Sequence, residues 1–197
     1  MKATRRNNHE TEIKLRLDAA AAGRRRLLGA GFRLLKRRIR ELNIVFDTPG
    51  LELRQKSSLL RVRRVGKETI LTFKGPPLPG PHKSREELET SVGDPQIFEA
   101  VLERLGYEPV WRYEKFRTEY RLGAGVATLD ETPIGIFCEL EGPPDWIDRT
   151  AKRLGFSPAD YIKASYGGLY LEWCKQNGRE PGDMVFPKKA ARLHRRS

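Results

Sequence analysis

The stretch His9-Glu10-Thr11-Glu12-Ile13-Lys14-Leu15-Arg16-Leu17 alternates charged side chains with side chains that are mostly apolar. Because successive side chains of a β-strand point to opposite faces, this stretch predicts a strand with one charged and one largely apolar face. Two interpretations of the charged face are open at this point. It is solvated, as is usual for such a strand, or it lines a cavity inside the protein.

Length and composition narrow the class of protein. A chain of 197 residues is long enough for one substantial domain or two small ones, and its 38% hydrophobic content is sufficient for a core. Charged residues make up 32%, above the roughly 25% of an average domain. No apolar run reaches the roughly 18 residues of a membrane-spanning helix, and the basic segment 1–8 lacks the apolar part of a signal peptide. We therefore expect a cytoplasmic protein with no membrane partner.

Cysteine and histidine give no indication of a disulfide framework or a zinc site. Cys138 and Cys174 lie far apart and outside any metal-binding spacing, so two free thiols are expected. The three histidines are His9, His82 and His194. They lie far apart in the sequence and form no ligand pair. A soft or borderline metal is therefore not predicted from these residues.

The net charge of +12 is concentrated in basic runs at 24–26, 36–40 and 188–196. Such runs usually form a solvated surface, although nucleic acid, a membrane surface or a phosphate-rich ligand also attracts them. No zinc finger, RNA-recognition signature or basic zipper is present, so a module that reads nucleic-acid sequence is not supported. Nonspecific polyanion binding by the basic C-terminal end stays open.

The alternation of the opening stretch recurs along the chain. It predicts strands at about 59–65, 69–74, 84–92 and 111–122, a hairpin over 126–141, and extended structure over 32–46. Helices are expected at about 19–28, 95–105, 145–154 and 158–173, the second beginning with an Asp94 cap and Pro95. With no repeat and no linker, we divide the chain into a basic arm (1–8), one catalytic domain (9–174) and a basic, flexible tail (175–197).

The charged faces of these strands are grouped by sign. Acids come from one set of strands: Glu10, Glu12, Glu87, Glu89, Asp130, Glu139 and Glu141. Bases come mainly from others: Lys14, Arg61, Arg63, Lys74, Lys115 and Arg117. Because the helices must pack on the apolar faces, the charged faces would meet inside a closed or strongly curled antiparallel sheet.

Such a charged interior requires partners for its buried charges. Carboxylate oxygens are hard ligands that suit Mg²⁺ or Mn²⁺, whereas arginine and lysine bind phosphate. A metal–triphosphate complex would satisfy both groups, so the pattern predicts a metal ion and a triphosphate small-molecule substrate.

The order of these motifs resembles the CYTH superfamily, also called triphosphate tunnel metalloenzymes. Glu10-x-Glu12-x-Lys14 is similar to the family's ExExK signature, and six further elements follow in the family's order. They are Phe46-Asp47-Thr48-Pro49, Leu60-Arg61-Val62-Arg63, Thr72-Phe73-Lys74-Gly75, Arg85-Glu86-Glu87-Leu88-Glu89, Lys115-Phe116-Arg117, and Asp130 with Phe137-Cys138-Glu139-Leu140-Glu141. The resemblance covers about Glu10 to Trp173.

The resemblance implies an α+β fold, a closed eight-stranded antiparallel β-barrel whose charged interior forms a tunnel and whose outside is surrounded by helices. It implies Mg²⁺ or Mn²⁺ bound by Glu10, Glu12, Glu139 and Glu141. The phosphates would be held by Lys14, Arg61, Arg63, Lys74, Lys115 and Arg117. Four residues are assigned to catalysis: Lys14, Glu87, Glu89 and Asp130. Of these, Glu87, Glu89 and Asp130 would complete the shell around the metal or the attacking water. At each position the alternative is a structural salt bridge between strands.

Three functions are compatible with this pattern. The first is a metal-dependent enzyme that hydrolyses inorganic or organic triphosphates. The second is a class IV adenylyl cyclase, which converts ATP to cyclic AMP and pyrophosphate. The third is a non-catalytic protein that binds polyphosphate or RNA ends. The sequence identifies neither the substrate nor the oligomeric state.

Overall fold

A computed structural model describes residues 9–187 of the chain. Eight antiparallel strands close into a barrel in the order β1-β5-β4-β3-β2-β6-β7-β8. The strands are β1 (His9–Leu17), β2 (Arg33–Asp47), β3 (Leu59–Val65), β4 (Glu68–Lys74), β5 (Lys83–Ser91), β6 (Glu108–Leu122), β7 (Gly125–Thr132) and β8 (Gly135–Glu141). The helices of the described residues lie around it: α1 (Ala20–Gly29), α2 (Glu52–Gln55), α3 (Pro95–Arg104), α4 (Pro144–Arg153) and α5 (Tyr166–Gln176). The closed eight-stranded α+β barrel expected from the sequence is confirmed.

The apolar face of β1 points outward and is covered by helices. Ile13 and Leu15 are completely buried, in a cluster that includes Leu27 of α1 and Ile147 of α4. Burying a side chain of this size stabilises a fold by roughly 1.5–3 kcal/mol. The other face of β1 therefore points into the barrel, which decides between the two interpretations of the alternation.

A second apolar cluster forms where α3 covers the outer face of β2, β3 and β4. Leu102 of α3 packs there with Phe46 and Val62. The Asp94 side chain accepts hydrogen bonds from the backbone of Gln96 and Ile97 at 3.0 and 3.1 Å. The helix start predicted from the sequence is confirmed in this way.

The closing part of the domain differs from the prediction of one helix over 158–173. Only residues 158–160 form a short 3-10 helix, and α5 does not begin until Tyr166. Between them, Ile162 is extended and exchanges both backbone hydrogen bonds with Lys14 of β1, at 2.8 and 3.2 Å. A strand-like pairing with β1 has replaced the helical hydrogen bonds that the sequence pattern predicted.

The folded part of the chain also extends beyond the predicted boundary at residue 174. Met184 is 1% exposed and pairs with Tyr113 of β6, and the Arg112 backbone N–H donates to Asp183 Oδ1 at 2.8 Å. The prediction of a flexible tail from residue 175 is therefore wrong for residues 175–187. Segments 1–8 and 188–197, predicted as the basic arm and the end of the tail, lie outside the described residues. Within residues 9–187, no helix is long and apolar enough to cross a membrane.

Candidate functional site

The register of the strands brings the predicted residues onto one inner face. Between β1 and β8, Glu12 lies opposite Glu141 and Lys14 lies opposite Glu139. Residues directly opposite each other in an antiparallel pair have side chains on the same face and close together. All four side chains therefore line the barrel interior.

The same register places the acidic residues of β5 beside β4. Lys74 lies opposite Glu87, and Thr72 lies opposite Glu89. Glu89 accepts a hydrogen bond from Thr72 at 2.7 Å and from Arg63 at 3.1 Å. The acids of β5 thus lie beside the bases of β4 and β3 on the inner face of three neighbouring strands.

Two carboxyl groups at one end of the barrel share a lysine. Lys74 Nζ lies 2.5 Å from Glu10 and 2.9 Å from Glu87. Burial and a hydrogen bond with Glu10 raise the pKa of Glu87 to about 8. Burial also opposes the ionisation of Glu10, but the Glu87 hydrogen bond and the charge of Lys74 outweigh it and lower the pKa to about 2. Near neutral pH the two carboxyl groups therefore share one proton.

Glu141 belongs to the same acidic end. Burial, followed by the negative charges of Glu10 and Glu12, raises the pKa of Glu141 to about 7. Mutually repelling carboxylates are hard oxygen donors, and a divalent cation such as Mg²⁺ or Mn²⁺ would relieve their repulsion. The donor set fits the predicted metal in its chemistry.

The carboxylates are nevertheless turned toward lysines in this structure. Glu12 accepts a hydrogen bond from Lys83 Nζ at 3.0 Å, and Glu10 is bound to Lys74. Among residues 9–187, no three acidic, histidine or cysteine side chains are grouped closely enough to hold a metal ion. Glu10 and Glu12 would have to exchange these lysine contacts for metal contacts.

Glu139 lies in a different environment from the other predicted metal ligands. It pairs with Lys14 at 2.9 Å and also with Arg117. Burial opposes its ionisation, but Lys14 and Arg117 outweigh burial and keep the pKa of Glu139 well below its usual range. These contacts favour a role in which Glu139 fixes the side chains of Lys14 and Arg117, and not the metal-binding role predicted for this residue.

Asp130 is the centre of the opposite wall and is completely buried. It accepts hydrogen bonds from Lys115 at 2.9 Å, from Arg117 at 2.6 and 2.7 Å, and from the hydroxyl of Tyr166 at 2.7 Å. Because both carboxylate oxygens already accept these hydrogen bonds, Asp130 is better placed to fix the side chains of Lys115 and Arg117 than to bind the metal or water predicted for it.

Arg61 and Arg63 of β3 complete the basic wall. Arg61 donates to the Tyr113 hydroxyl at 3.1 Å and to Thr72 at 3.2 Å, and Arg63 lies 3.7 Å from Glu41. Burial opposes the charge on Arg61, but Tyr113 and its neighbours raise the pKa of Arg61 above its ordinary value. The guanidinium groups stay charged inside the barrel, as phosphate binding requires.

Glu41 is a member of the site that the sequence reasoning missed. It is 3% exposed and lies 3.5 Å from Lys115 and 3.7 Å from Arg63. Burial opposes its ionisation, but the charges of Lys115 and Arg117 outweigh burial and lower the pKa of Glu41 to about 2. Its position in a strand with little visible alternation gave no signal.

Three further residues of the interior were also missed. Lys83 shares its parity along β5 with Glu87, and Tyr113 shares its parity along β6 with Lys115, so extending the alternation would have found both. Tyr166 comes from α5, and no pattern in the sequence connects it with the barrel.

An eight-stranded antiparallel tunnel whose interior is lined by carboxylates, lysines and arginines defines the structural class of this protein. Residues 8–166 match the sequence model of the CYTH domain, which is more than half of the chain. The chain therefore belongs to the CYTH domain family.

Individual relatives support this assignment. A Methanocaldococcus jannaschii protein named "Putative adenylate cyclase MJ0240" is 29% identical over 133 residues, which are 67% of this chain and 75% of that protein. The solved structure of a "putative adenylate cyclase" from Vibrio parahaemolyticus has a TM-score of 0.72 at 22% identity, with 86% of this chain and 99% of the other covered.

A plant structure has the same fold. HpAC1 from Hippeastrum, described as a "putative adenylyl cyclase" with a dominant triphosphatase activity, gives a TM-score of 0.62 at 23% identity, covering 87% of this chain and 97% of the other. Relatives and structural neighbours thus carry the names of adenylyl cyclases and, in one case, a triphosphatase activity.

Proposed function

We propose that the protein hydrolyses triphosphates inside the barrel with the help of Mg²⁺ or Mn²⁺. The observation that carries this proposal is the division of one buried interior into two sectors. Glu10, Glu12 and Glu141 lie at the acidic end, while Arg61, Arg63, Lys115 and Arg117 form the basic wall. A ligand that bears many negative charges and carries a metal satisfies both sectors.

The basic wall would hold the phosphate oxygens. Arg117 and Lys115 are pre-positioned by Asp130, and Arg61 is pre-positioned by Tyr113 and Thr72. Because these groups are already ordered, little conformational entropy is lost when they bind phosphate. Arginine donates paired hydrogen bonds to phosphate, and such charge-assisted bonds are roughly twice as strong as neutral ones.

Hydrolysis would transfer the terminal phosphoryl group to water. The bond between the water oxygen and phosphorus forms while the bridging P–O bond breaks, which gives phosphate and the shortened chain. Glu10, Glu12 and Glu141 would hold the divalent metal, which would supply additional positive charge and make a bound water more acidic. Lys14, Lys115 and Arg117 stabilise the charge that develops on the transferred group and on the leaving oxygens.

Two activities are supported by different relatives. The triphosphatase activity given for the Hippeastrum protein supports hydrolysis, which is our first candidate. The name of the Methanocaldococcus jannaschii relative supports the second candidate, a cyclase that forms cyclic AMP and pyrophosphate from ATP. Incubation with ATP and Mn²⁺ distinguishes the two activities, because a cyclase gives cyclic AMP and pyrophosphate whereas hydrolysis gives ADP and phosphate.

The test is a substrate panel of tripolyphosphate, ATP and thiamine triphosphate with Mg²⁺ and with Mn²⁺, in which every product is identified. Arg61→Ala and Glu12→Gln should each lower kcat/KM by roughly 10- to 150-fold, because the loss of a charged hydrogen bond costs about 1.5–3 kcal/mol. Arg64→Ala is the matched control. Arg64 follows on the same strand but pairs with Glu99 of α3 outside the barrel.

Full activity in Arg61→Ala would overturn the assignment of the site. Salt-sensitive binding of tripolyphosphate without any metal-dependent turnover would instead support the non-catalytic binder. Polyanion binding by the basic C-terminal end is a separate proposal. Its test is removal of residues 188–197 only, because Met184 and Phe186 pack against the barrel.

A further inference from the structure

Residues from Ile162 to Tyr166, the first residue of α5, contact Lys14 in three separate ways. The backbone of Ile162 pairs with the backbone of Lys14, with hydrogen bonds of 2.8 and 3.2 Å. Lys14 Nζ lies 3.5 Å from the carbonyl oxygen of Ala164, and 4.6 Å from the ring centroid of Tyr166. The C-terminal part of the domain therefore fixes both the main chain and the side chain of this lysine.

Tyr166 also contacts the opposite wall of the interior. Its hydroxyl donates to Asp130 Oδ2 at 2.7 Å, and its ring centroid lies 5.1 Å from Lys115 Nζ. The side chain is buried, with 8% of the residue exposed. One aromatic ring thus lies against the ammonium groups of two proposed phosphate-binding lysines and is fixed by the aspartate that orders the basic wall.

These contacts suit a role in which Tyr166 positions the two lysines and takes no direct part in the reaction. An aromatic face attracts a lysine ammonium group, and the attraction is stronger when both are removed from water, as they are here. Lysine has a flexible four-carbon stem, so a fixed ring that excludes other rotamers reduces the freedom lost on binding phosphate. The hydroxyl group fixes the ring, because it is bonded to a carboxylate that also binds Lys115 and Arg117.

We propose that Tyr166 is a positioning residue that orients Lys14 and Lys115 for the phosphates of the substrate, and that α5 is thereby part of the site. This inference rests on the proposed function for its effect on catalysis. Its effect on the lysines themselves does not depend on the substrate.

A purely structural role for Tyr166 makes a different prediction. Tyr166 also packs against Phe137 and Tyr113, with ring centroids 5.6 and 6.3 Å apart. If packing were its whole contribution, other aromatic residues of α5 would be equally sensitive to substitution. Tyr170 is the matched control, since it joins the same apolar cluster and stacks with Trp111 and Trp173 but has no contact with a cation of the tunnel.

The experiment compares Tyr166→Leu, Tyr166→Phe and Tyr170→Leu with the wild type. In the activity arm, KM and kcat for tripolyphosphate are measured with Mg²⁺ and Mn²⁺, and folding is checked by circular dichroism. Tyr166→Leu should raise KM at least tenfold, Tyr166→Phe should recover most of that loss because the ring remains, and Tyr170→Leu should change KM less than threefold. Equal KM values for the two leucine variants, or no recovery by phenylalanine, would overturn the inference.

A second arm is independent of activity. Acetic anhydride labelling of the folded protein, read by mass spectrometry, reports the accessibility of Lys14, which is 2% exposed. Labelling of Lys14 should rise several-fold in Tyr166→Leu but not in Tyr170→Leu. An inactive wild type would overturn the proposed function alone, whereas unchanged labelling in Tyr166→Leu would overturn the positioning role. If Tyr166→Leu fails to fold, Tyr166→Met takes its place in both arms, because methionine also lacks the ring but adapts its shape to the cavity. Labelling of Lys14 should then rise several-fold in Tyr166→Met, and no increase refutes the role.

Discussion

Glu41→Gln should lower the stability of the protein at neutral pH while making the basic wall more positive. The substitution keeps the size of the side chain but removes a buried negative charge that lies 3.5 Å from Lys115 and 3.7 Å from Arg63. Removing one partner of a buried ion pair typically costs about 3–5 kcal/mol, because the remaining charge stays buried without compensation.

The pKa of Glu41 gives an independent magnitude. It is lowered from 4.5 to about 2, because the charges of Lys115 and Arg117 outweigh burial. With roughly 1.4 kcal/mol for each pKa unit, the ionised form contributes about 3 kcal/mol at pH 7. Since the folded-state pKa lies below the unfolded value, this contribution is complete above about pH 5 and is lost as the pH falls toward 2. At pH 3 about 1 kcal/mol should remain.

The assay is urea denaturation of the wild type and Glu41→Gln at pH 7 and at pH 3. The difference in unfolding free energy should be about 3 kcal/mol at pH 7 and should fall by more than half at pH 3. Glu131→Gln is the control, because it breaks the half-exposed pair with Arg38, and such pairs contribute about 0–1 kcal/mol. A Glu41→Gln penalty that is absent at pH 7, or equal at both pH values, would refute the electrostatic reasoning.

Two further predictions concern the packing outside the tunnel. A methyl group added at Gly125 would overlap the indole ring of Trp146, so Gly125→Ala should cost about 1–3 kcal/mol of stability and lower Tm by several degrees. Gly29→Ala is the control and should not lower Tm, because a methyl group there meets nothing within 4 Å. Equal Tm values for the two variants would contradict the packing argument. Cys138 and Cys174 are buried free thiols, and burial raises the pKa of Cys138, so neither should react with a thiol reagent until urea unfolds the protein. Rapid reaction in the native state would show that one of them is accessible.

The fold was largely predictable because alternation and helix packing point to the same answer. Ile13 and Leu15 had to face α-helices, and the charged side of β1 therefore had to face inward. The same reasoning located Arg61 and Asp130, since their strands alternate as clearly as β1 does. Where the local alternation and the packing of the helices agreed, the sequence was sufficient to predict which face of a strand lines the barrel interior.

The parts that escaped prediction depend on contacts between distant segments. Glu41 is on a strand whose neighbouring residues are mostly exposed, so charge alone could not identify its burial. Ile162 pairs with β1 at a position where β5 no longer does, and hydrogen bonding across 148 residues leaves no local signature. Tyr166 reaches Asp130 only because that pairing places the start of α5 above the barrel interior.

The pairing of Lys14 with Ile162 also determines when the site can be completed during protein synthesis. β1 is among the first described segments to leave the ribosome, but its partners in β8 and at residue 162 are made only after most of the chain. Until then, the acidic and basic side chains of the early strands have no barrel to enclose them and stay hydrated. Assembly must therefore proceed through contacts of large sequence separation, which form slowly. A chain that terminates before residue 162 would leave Lys14 without its backbone partner on the edge that β1 shares with β5.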